Sequence, residues 1–215
     1  NLNGPRMFLP IGRTLCIRRP RVISITSSPH GSVPIMRCNM KLYVARHGQT
    51  RWNLEHKICG RTDLPLTEEG HRQAKVLAEK AKNLSLDVII ASPMVRAQQT
   101  AAAVSEVTGI PVQTDERLIE QDYGIYEGKN RHDTGFLANK RQFATRYPGG
   151  ESMFDVCYRI YSLIEELKLK YPDKNILLVC HGGVCRLIRS YFEDMTNEEY
   201  VNYCEENANI REYST

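Results

Sequence analysis

The sequence predicts an α/β protein built on a mostly parallel sheet, and three short stretches carry that prediction. Residues 42–45 (Leu-Tyr-Val-Ala), 88–91 (Val-Ile-Ile-Ala) and 175–180 (Asn-Ile-Leu-Leu-Val-Cys) are apolar runs too short for helices. They are continuous rather than alternating, as strands buried on both faces are. Each runs into a turn signal, respectively Arg46-His47-Gly48, Ser92-Pro93 and His181-Gly182-Gly183. In open α/β sheets ligands sit beyond the carboxyl ends of the strands. That rule places Arg46 with His47, Arg96 and His181 along one common edge. An arginine beside a histidine, with no acidic neighbour, suits an anion.

Taken in order, the chain supports this frame. The first strand is followed by a loop through Asp63, with Trp52 as its apolar contact. Thr67, followed by Glu68 and Glu69, caps the next helix, and Ala74, Leu77, Ala78, Ala81 and Leu84 give that helix its buried face. Pro93 suits the start of the helix after the second strand, which Gly109-Ile110-Pro111 ends. A short extended piece is expected at residues 112–114. Residues 129–147, with Asn130, Arg131, His132, Lys140, Arg141 and Arg146, read as a basic insertion over the strand ends, where a lid forms and the non-phosphate part of a substrate is recognised. Ser152 and Asp155 are spaced as a capping box, with Val156, Ile160, Leu163, Ile164 and Leu167 facing the core. The third strand and a helix bearing Val184, Leu187, Ile188 and Tyr191 follow. A short acidic helix at 196–203 and a last strand at 209–211 complete the pattern.

Two units of strand-His-Gly together with one of strand-Ser-Pro-x-x-Arg outweigh the ordinary structural reading of a single histidine. The chain resembles the histidine phosphatase superfamily, in its phosphoglycerate-mutase-like branch. The resemblance rests on Arg46-His47-Gly48-Gln49-Thr50 with Trp52-Asn53, Asp63-Leu64-Pro65-Leu66-Thr67-Glu68-Glu69-Gly70, Ser92-Pro93-Met94-Val95-Arg96-Ala97-Gln98-Gln99-Thr100, Gly149-Gly150-Glu151-Ser152 and His181-Gly182-Gly183, in the family's order over about residues 40–212. It implies a three-layer α/β/α sandwich and a phosphomonoesterase of the histidine acid phosphatase type, acting on a small phosphorylated metabolite. His47, Glu120 and His181 are the implied catalytic residues. Arg46, Asn53, Arg96 and His181 are the implied phosphate ligands, with no metal and no cofactor.

Those residue types suit phosphoryl transfer. A phosphate monoester is a dianion, and planar, permanently charged guanidinium groups neutralise its oxygens. A protonated His181 would add a third cation and Asn53 a neutral donor. His47 attacks through a neutral ring nitrogen to give a phosphohistidine. Glu120, in a run resembling the family's acid-bearing segment, holds the proton for the leaving oxygen and then takes one from water. Asp122, two residues on, competes for that role; Glu116 and Glu127 read as solvated. The alternatives kept open are a phosphoglycerate mutase, a non-catalytic phosphate-binding module, and a zinc hydrolase using both histidines. The run Cys59-Gly60-Arg61-Thr62-Asp63 is similar to that of alpha-ribazole phosphatases but is too short to fix a substrate.

The net charge of +4 among 215 residues is unevenly spread. Residues 1–39 hold six of the 29 basic residues, all arginines, and no acid, together with five of the ten prolines. Without them 23 basic face 25 acidic residues, so residues 40–215, the expected catalytic domain, are no basic nucleic-acid binder. Residues 1–39 read as a disordered extension outside the working protein, with an organelle transit peptide or a basic tether as alternatives. Seven cysteines form no C-x-x-C pair, which fits reduced thiols and a cytoplasmic location. No apolar run nears the ~20 residues that cross a bilayer. The expected partners are a small-molecule phosphate ester and a second copy in a homodimer, with no nucleic acid and no membrane.

Overall fold

The computed structural model describes residues 39–214, so the expectation for the leading segment lies outside the described residues. Five strands form one sheet in the order β3-β2-β4-β1-β5. The strands are β1 (Lys41–Arg46), β2 (Val88–Ala91), β3 (Val112–Thr114), β4 (Asn175–Cys180) and β5 (Ile210–Ser214). β1, β2, β3 and β4 run parallel, while β5 lies antiparallel on β1.

The continuous apolar character of the inner strands follows from cover on both faces. On one face Leu42, Val44, Ile90, Ile176 and Leu178 pack with Ile160, Leu163 and Ile164 of α5 (Met153–Lys170) and with Val184, Leu187 and Ile188 of α6 (Gly182–Phe192). On the other, Tyr43, Ala45, Ile89, Ala91, Leu177 and Val179 meet Leu77, Ala78 and Ala81 of α2 (Glu68–Ala81) and Ala97, Ala101 and Val104 of α3 (Val95–Thr108). The period-2 alternation along each strand thus feeds two separate cores, and the result is the expected three-layer sandwich.

Local signals hold at the helix ends. The Thr67 hydroxyl accepts from Gly70 N at 3.0 Å, Ser152 and Asp155 form the capping box, and Gly109 ends α3 at a φ of 73°, where a side chain would be strained. The acidic tail helix is α7 (Asn197–Asn202). Two details differ from the sequence reading. The loop after β1 contains one helical turn, α1 (Arg51–Leu54), in which Thr50 N donates to Asn53 Oδ1 at 3.0 Å. The basic insertion is helical only over α4 (Thr134–Lys140), and its Phe136 and Tyr147 stack beside Tyr123, Tyr126 and Ile58 in a small core of their own.

Candidate active site

Strand order puts the site together. β2, β4 and β1 are adjacent, so the residues that follow them emerge side by side. The β1–β4 register pairs Arg46 with Cys180, which makes His47 and His181 the next rung of the ladder, and His47 N donates to Cys180 O at 2.9 Å. The two imidazole rings lie 5.2 Å apart between centroids, tilted by 58°.

Hydrogen bonding assigns each ring its tautomer. His47 Nδ1 is 2.7 Å from Gly48 O. A carbonyl only accepts, so Nδ1 carries the proton and Nε2 keeps its lone pair. Burial, followed by the charges of Arg96 and Arg46, holds this imidazole well below its usual range, so it stays neutral. Arg96 Nε donates to His181 Nδ1 at 3.2 Å, so His181 is protonated on Nε2, which meets Ser92 Oγ at 2.8 Å. Burial and the Arg96 guanidinium push His181 well down too. The condition for a third cation, a protonated His181, is not met in this arrangement: a ring that accepts from arginine cannot also carry the second proton.

Arg96 is fully buried. Besides His181 it donates from Nη1 to Thr62 O at 2.9 Å and from Nη2 to Gly60 O at 2.8 Å. Three of its five N–H groups are thus engaged by the protein, tying the loop at residues 60–62 to His181. The nearest counter-charge, Asp63, is 3.9 Å away. Glu127, expected to be solvated, closes the same loop by accepting from Gly60 N at 2.9 Å, Arg61 N at 3.0 Å and Thr62 Oγ1 at 2.9 Å. Its carboxylate is an internal clamp, which no local sequence signal marks because its partners lie some 65 residues earlier.

Arg46 reaches the cavity beside His47. One terminal nitrogen donates to Glu205 O at 2.6 Å, while its Nε is buried without a hydrogen-bond partner. A buried orphan donor on a cation fits an anion. Asn53 turns its Oδ1 to Thr50 and Asn207, leaving its amide nitrogen without a partner among the described residues. Glu120 is 4 % exposed. It accepts from Gln121 N at 2.8 Å through Oε1 and from Gly183 N, in the first turn of α6, at 2.9 Å through Oε2. A Cβ on residue 183 would sit 2.5 Å from Glu120 Oε1, so any side chain there displaces that carboxylate. Asp122, its competitor, accepts from Gly124 N at 2.8 Å in a turn and does not line the cavity.

Arg46, His47, Asn53 and Glu120 line one cavity of about 340 Å³, the size of a small-metabolite site. Arg131, Phe136 and Lys140 from the insertion and Arg186 from α6 line it as well. The sequence reading placed the insertion over the strand ends but left its residues, and Arg186, outside the site. Among the described residues no group of three or more His, Cys, Asp or Glu side chains is placed to hold a metal ion, and no helix is long and apolar enough to cross a membrane.

Comparison with known proteins agrees with this geometry. Residues 42–215 match the model of the histidine phosphatase superfamily (branch 1). The uncharacterized phosphatase PhoE of Bacillus subtilis is 31% identical over 173 residues, covering 79% of this chain and 88% of that one. The probable phosphoglycerate mutase GpmB of Enterobacter sp. is 37% identical over 152 residues, covering 66% and 70%. Among solved structures, a mycobacterial glucosyl-3-phosphoglycerate phosphatase superposes with a TM-score of 0.72 at 28% identity, covering 80% of this chain and 88% of its own. The alpha-ribazole phosphatase of Shigella flexneri gives 0.71 at 26% identity, covering 80% and 89%.

Proposed function

This chain belongs to branch 1 of the histidine phosphatase superfamily, and from that membership we propose that it is a phosphomonoesterase acting on a small phosphorylated metabolite through a phosphohistidine on His47. The observation that carries the proposal is the pairing of an unprotonated His47 Nε2 with the orphaned, buried Nε of Arg46 at the same cavity. A nucleophile with a free lone pair and a fixed cation beside it meets the two requirements of attack on a phosphate dianion.

In the proposed cycle the ester phosphate binds against Arg46 and the Asn53 amide, and His47 Nε2 forms a bond to phosphorus as the ester P–O bond breaks. The leaving oxygen takes its proton from Glu120. Water then attacks the phosphohistidine, gives its proton to Glu120, and leaves His47 free and inorganic phosphate released. His181 and Arg96 act from beneath: both are fully buried, neither lines the cavity, and the guanidinium fixes the ring. The finer description, a histidine acid phosphatase type of enzyme with a small phosphate ester as its partner, is part of this proposal. A cytoplasmic setting is too, on the strength of the unpaired cysteine pattern.

A mutase is the second reading, favoured by the relative named as a probable phosphoglycerate mutase. Inorganic phosphate release measured against phosphoglycerate isomerisation separates the two. The chemistry shared by both is tested by His47→Ala: turnover of an aryl phosphate and acid-labile phosphoryl labelling are both expected to vanish, and full activity in the folded variant would remove His47 from the role.

A further inference from the structure

We infer that the outer half of this cavity is a subsite for a second anion, a carboxylate or phosphoryl group at the far end of the phosphate ester, held by Arg131, Lys140 and Arg186. The inference rests on the phosphomonoesterase reading for the inner half of the cavity and adds the class of substrate.

Three observations carry it. The first is a charge imbalance. Arg131 precedes α4, Lys140 ends it, and Arg186 projects from α6; all three line the cavity, and among the described residues the single carboxylate lining it is Glu120, already bound to two backbone N–H groups. The reacting phosphate is met by Arg46 beside His47, so these three cations are in excess of what it requires. The second is their lack of counter-charges. Among the described residues none of the three is in an ion pair, whereas Lys57 at the same rim is neutralised by Glu55 at 2.8 Å. They press on one another instead. Burial, then Arg186, with smaller effects from Arg141 and Arg131, brings the Lys140 ammonium down to about 8, and burial with Arg46 lowers Arg131. Partly buried like charges are held together at a cost that an anion placed among them relieves. The third is a second orphan donor. Arg131 Nε is buried with no acceptor, and an arginine fork matches carboxylate or phosphoryl oxygens in two-pronged fashion. Phe136 and Leu137 also line the cavity and supply an apolar wall for a short carbon skeleton.

The test uses matched substrates. 3-Phosphoglycerate and glycerol 3-phosphate differ by a carboxylate in place of a carbinol, and propane-1,3-diol bisphosphate and its monophosphate differ by a second phosphoryl group. The wild-type protein is expected to prefer the doubly anionic member of at least one pair in kcat/KM by about tenfold or more, the worth of one charge-assisted contact. Which pair shows the preference distinguishes carboxylate from phosphoryl. In Arg131→Ala, and separately in Lys140→Met, that ratio is expected to fall toward one, with Arg131→Lys restoring part of it. Equal turnover of both members by the wild-type protein, or variants that slow both members alike, would overturn the subsite. A protein that turns over no phosphate ester, aryl phosphate included, would refute the phosphatase reading alone. Equilibrium binding of the same pairs to the wild-type protein and Arg131→Ala then reads the subsite without chemistry, and equal affinities within each pair would refute it.

Discussion

Replacing Gly183 by alanine tests the placement of Glu120 without touching any reacting group. The added Cβ would lie 2.5 Å from Glu120 Oε1 and 3.1 Å from the Tyr123 hydroxyl. Glu120 is held by Gln121 N and Gly183 N, so relieving the contact displaces its carboxylate from those two donors. Reaching an ordinary van der Waals separation requires a shift on the order of 1 Å, enough to cost on the order of a hundredfold in rate when the displaced group transfers a proton. The accompanying overpacking should lower stability by about 1–3 kcal/mol. The assay compares an alkyl with an aryl phosphate: the alkoxide leaving group is far more basic and depends on the donated proton, while the aryl oxide leaves with little help. The expected result is a drop of about a hundredfold in kcat for the alkyl ester and a much smaller one for the aryl ester. A folded Gly183→Ala protein that turns over alkyl phosphates within about threefold of wild type would show that Glu120 is not the proton donor.

Three further predictions follow from the same geometry. Glu127→Ala removes the acceptor that closes residues 60–62, leaving the N–H of buried Gly60 and the partly buried Thr62 hydroxyl without it; thermal unfolding should report a loss of about 1–3 kcal/mol, and KM should rise as Arg96 loses its carbonyl frame. Stability should fall as the medium is acidified below about pH 6.5, the ordinary histidine range. His47 and His181 are held well below that range in the fold, so the unfolded chain binds the protons first, with a slope of up to about 1.4 kcal/mol per pH unit for each ring; urea titrations at pH 7 and pH 5.5 measure it. Lys140 loses its proton at about 8 in the free protein, so KM for a doubly anionic ester should climb above that pH, with Arg131, Arg141, Arg186 and the Cys204 thiol as the groups that face it. A KM flat from pH 7 to 9.5 would remove Lys140 from substrate binding.

The sheet and the two histidines were legible in the sequence because their signals are local. A buried parallel strand announces itself as an unbroken apolar run, and Arg46-His47-Gly48 and His181-Gly182-Gly183 stand directly after such runs. Helix starts at Thr67 and Ser152 were equally readable, since each cap and its partner lie three residues apart. The parts that were not legible depend on distant segments. Glu127 reads as a surface acid until the loop at residues 60–62 folds against it. Arg96 reads as a free ligand until carbonyls from that loop claim two of its branches. Arg131 and Lys140 read as parts of one basic insertion over the strand ends, but Arg186 belongs to a distant stretch, and the cavity all three share exists only once α4 lies near α6.

The two histidines share the rung just beyond a parallel ladder between central strands, whereas Arg131 precedes and Lys140 ends a seven-residue helix whose small aromatic cluster is separate from both main cores. Sheet centres exchange their amide hydrogens only on global opening, while peripheral segments open at lower cost. If the proposed subsite holds, warming or mild denaturant should loosen discrimination among esters before it disturbs the two histidines. A partly opened molecule would then be a less choosy catalyst, its reaction centre owing its durability to the strands that deliver it.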